Sequence, residues 1–270
     1  MYRLSCIAVW LTLLLQTFVA AESHTCTNPA VRREWRSLSR AERAEWVRAV
    51  KCLTKLPNTK VIRPTAERPD DIPPLNTTSS YYDDLVYMHM DLNHLVHFTG
   101  LFLPWHRYYV HVYEIAMKKS CGYTGVTPYW DWTLDAHDIF GSSFWNDPDP
   151  LSGLGSFGKA ENGYEVRDGA FAAPNYIRPY PWPHGIRRMY NLRPYSDFPV
   201  KALPDRNIMA NTTYSPQAVE KLLNSHPGNF MEFQRDFEKI PGAHPSVHGT
   251  ITGYEQALRL SKLSLSAAYV

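Results

Sequence analysis

Five of the chain's eleven histidines, His89, His94, His97, His106 and His111, fall within 23 residues. A set of neutral imidazoles with no thiolate or carboxylate among them suits copper or zinc. Periodicity limits which of them can converge. His97 and His106 are nine residues apart, about half a turn out of phase on a continuous helix of ~3.6 residues per turn, so they cannot share one helical face. Thr99-Gly100 and Pro104 supply the break between them. A site here would draw one histidine from the end of a helix, one from a loop and one from the next helix. His89 and His94 compete for the first of these places. His111 lies five residues past His106, points away from it, and reads as a surface or capping residue. Further on, His244 and His248 stand at i and i+4. On a helix this puts their Cβ atoms ~5–6 Å apart on one face, near enough to hold one metal. The pair is weak evidence alone and stronger beside the upstream cluster. His24, His137, His184 and His226 have no partner at ligand spacing and read as ordinary polar residues.

The elements that must position these side chains can be read from caps and breaks. Ser39-Arg40-Ala41-Glu42 is a capping box opening a helix whose apolar residues Trp46, Val47, Val50 and Leu53 recur at three- and four-residue steps. Residues 57–75, rich in proline and polar groups, read as a loop. A second helix is expected from about Tyr81 to Asn93. A third is expected from Pro104, which suits a first helical turn, to about Lys119, ending before Cys121-Gly122. From Asp147 to Asp205 proline and glycine are dense, which predicts long irregular surface with a short strand or two. Ser215-Pro216 starts another helix and 229–239 is one more. No internal repeat is present. The expectation is one mainly α domain with long Pro/Gly-rich loops.

The chain's net charge of +2 and the absence of any run of five like charges give no sign of a polyanionic partner, so nucleic-acid binding is not expected. Arg3, an apolar run from Cys6 to Leu15 and the small residues Val19-Ala20-Ala21 have the form of a signal peptide cleaved after Ala21. A membrane anchor is the rival reading, but the apolar core is short for a bilayer. The expectation is a secreted protein with no membrane association after cleavage. Two glycosylation sequons, at Asn76 and Asn211, agree with that route. Loss of Cys6 with the signal leaves Cys26, Cys52 and Cys121, hence one disulfide and one leftover thiol in an oxidising compartment. Cys26–Cys52 is the favoured pairing, because both flank the first helix.

The string Phe102-Leu103-Pro104-Trp105-His106-Arg107-Tyr108-Tyr109, followed by Glu114, resembles the copper A signature of tyrosinases, catechol oxidases and hemocyanins. Pro128-Tyr129-Trp130-Asp131-Trp132 resembles a second motif of secreted tyrosinase-like proteins, and the stretch from Arg33-Glu34-Trp35-Arg36 to Cys52-Leu53 is similar to short fungal members. The resemblance covers roughly residues 26–253. It implies an antiparallel four-helix-bundle core around a binuclear copper site. His89, His97 and His106 match the copper A ligands, which places His89 rather than His94 in the first position. His244 and His248 match the first two copper B ligands. Glu114 matches a position where a carboxylate could orient an imidazole or pair with Arg107; a plain surface ion pair is the equal alternative.

Three departures from the family pattern stand out. Only 22 residues follow His248 and none is histidine, so the third copper B ligand is absent and residues 22–253 are expected to form a tyrosinase-like domain incomplete at its C-terminal end. Residues 254–270 form a divergent tail. Leu95 stands where some members carry a cysteine cross-linked to the second copper A histidine, so no such thioether is expected. Pro245 stands where many tyrosinases have Asn, which leans toward diphenol over monophenol oxidation.

The resemblance implies two copper ions, with copper B not necessarily retained. Phenolic small molecules and dioxygen would be the partners, and two-electron oxidation to o-quinones the reaction. The alternatives are a copper- or dioxygen-binding protein without catalysis, and an inactive product of alternative splicing or a misread intron. A zinc hydrolase is a distant fourth reading.

Overall fold

The computed structural model describes residues 26–65, 72–196 and 205–253. The expected signal peptide with its cleavage after Ala21, Cys6, His24 and the tail 254–270 lie outside these residues. The chain divides after Val31 into two units. In the first, residues 26–31 are irregular and exposed, and Cys26 carries a free thiol.

From Arg32 onward the protein is mainly α-helical. Helix α1 (Arg40–Leu53) opens with the expected box: the Ser39 hydroxyl accepts from the Glu42 amide at 3.3 Å and the Glu42 carboxylate accepts from the Ser39 amide at 2.7 Å. Its stripe of Trp46, Val47, Val50 and Leu53 is buried, as the spacing predicted. Helix α2 (Tyr81–Val96) opens with a second box, Ser80 with Asp83, and runs three residues past the expected end, to His97 as its C-cap. Helix α3 (Phe102–Cys121) begins two residues before Pro104, which remains within the first turn where its missing N–H costs nothing. It stops at Gly122, whose φ of 64° is the left-handed conformation that closes helices.

Helix α1 packs along α3 and α2, and α2 packs against α3. Arg48 of α1 donates to the Cys121 carbonyl at 2.9 Å, satisfying the frayed end of α3. The disulfide joins Cys52 to Cys121. This corrects the Cys26–Cys52 expectation: the packing of α1 along α3 brings Cys52, in the last turn of α1, beside Cys121 at the end of α3, and Cys26 is left free. Three shorter helices follow, α4 (Pro216–Ser225), α5 (Phe230–Glu238) and α6 (Ala243–Thr250), packed in sequence. The chain then forms a two-residue strand, β2 (Ile251–Thr252), antiparallel to β1 (Met189–Tyr190).

The long segment from Asp147 is irregular, as expected, but it is not all surface. Val166 and Phe171 are fully buried, and Phe171 joins the main core that holds Trp35, Trp46 and Trp145. Isolated backbone bridges, such as the Val166 amide to the Ile186 carbonyl at 2.9 Å, and buried side chains together satisfy its backbone. Buried Arg188 donates to the carbonyls of Leu154, Gly155 and Ser156 at 2.8–3.1 Å, and Asp168 accepts from the Ser156 amide at 2.7 Å. Two of the sequence motifs meet directly. The Trp35 amide donates to the Tyr129 carbonyl at 2.9 Å, and Arg36 and the Trp130 indole both bond Asp135. Among the described residues no helix is long and apolar enough to cross a membrane.

Candidate metal centre

His89 projects from the middle of α2, His97 caps that helix, and His106 sits in the second turn of α3. One nitrogen from each lies within 4.8 Å of the other two, and all three side chains are buried or half-buried. The competing His94 is exposed and outside the group. The backbone orients two of the rings in the same way. His97 Nδ1 lies 3.1 Å from the Asn93 carbonyl and His106 Nδ1 lies 2.7 Å from the Phe102 carbonyl. A carbonyl can only accept, so in each ring the proton sits on Nδ1 and Nε2 is left as a bare lone pair. His89 Nε2 stands 3.2 Å from His106 Nε2. Two imidazole nitrogens each ~2.0–2.1 Å from a tetrahedral ion are about 3.3 Å apart, so the spacing is that of ligands around one metal.

His244 and His248 occupy successive turns of α6, so the predicted pair is helical, and their Nε2 atoms are 3.0 Å apart. His244 Nδ1 is buried with no hydrogen-bond partner among the described residues. The two groups are contiguous. The His97 and His244 rings stack at 5.7 Å with 21° between planes. Phe102 packs against three of the histidines, its ring centre 5.5 Å from His97, 4.5 Å from His106 and 4.8 Å from His244. Trp105 and Tyr109, stacked on each other, flank His89 at 5.7 Å each.

This apolar casing holds the imidazoles neutral. Burial lowers His97 from its ordinary 6.5 to about 4 and His248 to about 3. It also lowers His106, and takes His244 well below the usual range, with the neighbouring histidines adding to that shift. Neutral imidazole is the form in which a histidine can ligate a metal, so His97, His106, His244 and His248 are already in that form. A cavity of about 590 Å³ is lined by His244 and His248, by Leu85 and Met90 of α2, and by aromatic residues including Trp130, Trp132 and Tyr180. His89, His97 and His106 do not line it.

The pattern for the common central domain of tyrosinase matches residues 79–264, a span that holds all five clustered histidines. The chain belongs to the tyrosinase family. Its relatives include a tyrosinase-like protein of Diaporthe leptostromiformis, 38% identical over 169 residues, which are 62% of this chain and 41% of the relative. A tyrosinase of Aspergillus flavus is 32% identical over 231 residues, 84% of this chain and 57% of the relative. The chain thus spans about half the length of these relatives. Among solved structures, a variant polyphenol oxidase of Thermothelomyces thermophila superposes with a TM-score of 0.63 at 27% identity, over 97% of this chain and 71% of that one. The mainly helical architecture is that of a polyphenol oxidase. The tyrosinase family implies a binuclear copper centre. The residues fit: the donors are neutral imidazoles, and their nitrogen spacings are those of a shared ion.

The other residues singled out in the sequence are placed as follows. Glu114 is not beside an imidazole, and its partner is not Arg107, which is exposed. Its carboxylate takes Lys118 at 2.8 Å, the Thr127 amide at 2.9 Å and Arg32 at 3.1 Å, anchoring the far end of α3 to the segment before the Trp130 motif. His111 is exposed beside Tyr108. Asn76 is exposed at a turn, its side-chain oxygen accepting from the Thr78 amide and hydroxyl. Asn211 is half-buried, and its amide nitrogen donates to the Ala136 carbonyl at 2.9 Å. Phe102 and Asn93 as supports of the site were not singled out in the sequence. Both stand four residues before a ligand candidate, the spacing at which a helical carbonyl can meet an imidazole Nδ1–H, and that interval was the available signal.

Proposed function

We propose that this chain is a secreted, copper-dependent oxidoreductase that converts o-diphenols to o-quinones with dioxygen. His89, His97 and His106 would hold copper A, and His244 and His248 would supply ligands to copper B. The observation that carries this reading is the pair of abutting imidazole groups, joined by the His97–His244 stack and the shared Phe102. When bound, two adjacent copper ions supply one electron each to dioxygen and acidify a phenol. The chain's own residues do the rest. The carbonyls of Asn93 and Phe102 fix which nitrogen of His97 and His106 faces the centre. Phe102, Trp105 and Tyr109 keep water from the three-histidine group, while the aromatic wall beside His244 and His248 suits a flat phenolic ring. Secretion rests on the signal-like residues 1–21 and agrees with the Cys52–Cys121 disulfide, a bond of oxidising compartments.

A second reading, a copper-binding chain without oxidase activity, is favoured by one observation. Among the described residues, His89, His97 and His106 are the one metal-competent group of three, and no third ligand joins His244 and His248. Copper content with catechol turnover separates the two. An oxidase retains two coppers per chain and browns a catechol; retention of one copper with no turnover establishes the second reading.

A further inference from the structure

Helix α5 carries two buried polar side chains that the histidines do not explain. Gln234 and Glu238, four residues apart and so on one face, are 6% and 1% exposed. Glu238 Oε1 accepts from the Phe98 amide at 2.9 Å, Gln234 Nε2 donates to Glu238 Oε2 at 3.1 Å, and the same Nε2 donates to the Thr99 carbonyl. Both residues thus act on the turn that directly follows His97.

That turn needs holding. Phe98 has φ of 55°, a left-handed conformation that is costly for a side chain bearing a Cβ. Its ring is 57% exposed, so side-chain packing does not keep it there. The buried carboxylate does: it takes the Phe98 N–H, while Gln234 donates to the carbonyl of Thr99, so α5 grips the turn at two successive residues. The residue just before Glu238 on α5 completes the link, since the Phe237 ring lies 5.9 Å from Phe102 and 5.8 Å from His244. One short helix therefore touches the supports of both histidine groups.

We infer that Glu238, assisted by Gln234, is a positioning residue for the metal site: it locks the Phe98–Thr99 turn and so fixes where His97 leaves α2. The inference rests on the reading of His89, His97 and His106 as metal ligands. Removing the carboxylate lets Phe98 relax to negative φ and swings His97 away from His89 and His106, while His244 and His248 keep their own helix.

The test is a copper(II) competition titration against a chelator on the full chain, read with the visible and electron-paramagnetic spectra, beside amide hydrogen exchange at Phe98. Glu238→Ala is expected to weaken the tighter copper equivalent by about 10- to 100-fold, the usual cost of losing an outer support of a metal ligand, and to change its spectrum. Phe98→Gly in the Glu238→Ala background should recover part of the loss, because glycine enters the left-handed region without penalty. Gln234→Ala keeps the carboxylate and is expected to give a smaller loss in the same direction; it carries the test should Glu238→Ala fail to fold. Unchanged affinity and spectrum in the variants, with the Phe98 amide deprotected, would overturn the inference and leave Glu238 a stabilising residue only. If the wild-type chain itself takes up no copper, the ligand reading fails instead.

Discussion

The helix that presents His89 is anchored by a buried ion pair, and removing one member gives a measurable loss. Asp83 is fully buried at the start of α2. It accepts from the Ser80 amide and hydroxyl, both at 2.7 Å, and from the Arg178 guanidinium at 2.5 Å. Arg178 is 4% exposed and lies over the Tyr82 ring at 4.3 Å. Arg178→Met keeps much of the volume but strands the Asp83 carboxylate. Breaking a buried pair from one side costs about 3–5 kcal/mol. In a chain of this size each kcal/mol moves Tm by roughly 2–4 °C, so thermal unfolding followed by tryptophan fluorescence should show a fall of roughly 6–20 °C. The double variant Asp83→Asn with Arg178→Met removes the stranded charge, and Asn can still accept from the Ser80 amide. It should regain at least half of that loss. A single variant within about 1 kcal/mol of wild type, or a double variant no better than the single, would refute the reasoning.

The disulfide closes a 69-residue interval, for which the chain-entropy model gives about 4 kcal/mol. Denaturant unfolding of a Cys52→Ser, Cys121→Ser variant should show that loss, while Cys26→Ser, altering an exposed thiol, should leave the midpoint unchanged. The metal-free chain should weaken in mild acid. His97 and His248 are lowered from 6.5 to about 4 and about 3, so the unfolded chain binds protons first as pH falls. Their contribution is complete above about pH 6.5 and is lost as pH drops toward those values. Denaturant midpoints measured from pH 6.5 to about 4.5, before most carboxylates titrate, should fall steadily; a flat profile counts against the buried neutral imidazoles.

The sequence exposed the local signals and hid the long-range ones. The start of α1 and its buried face were readable because a capping box and a three-four apolar stripe act within a few residues. His89, His97 and His106 were legible as a cluster, but periodicity left His94 level with His89; the family pattern favoured His89, and the packing of α2 against α3 groups it with the others. The Cys52–Cys121 pairing depends on two helix ends meeting across 69 residues, which no local spacing encodes. The stretch from Asp147 looked like surface because proline and glycine are dense there. It is partly core because isolated backbone bridges, with Arg188 and Asp168 as added side-chain partners, satisfy its backbone without a regular sheet. Glu238 carries no local signal, since its partner Phe98 is 140 residues away.

The central claim is that His89, His97, His106, His244 and His248 form a copper centre, and anomalous diffraction at the copper edge from copper-soaked crystals tests it most directly. The account predicts a peak about 2 Å from Nε2 of His89, His97 and His106. For an oxidase it predicts a second, between His244 and His248. Intact, ordered rings with no peak among His89, His97 and His106 would contradict it.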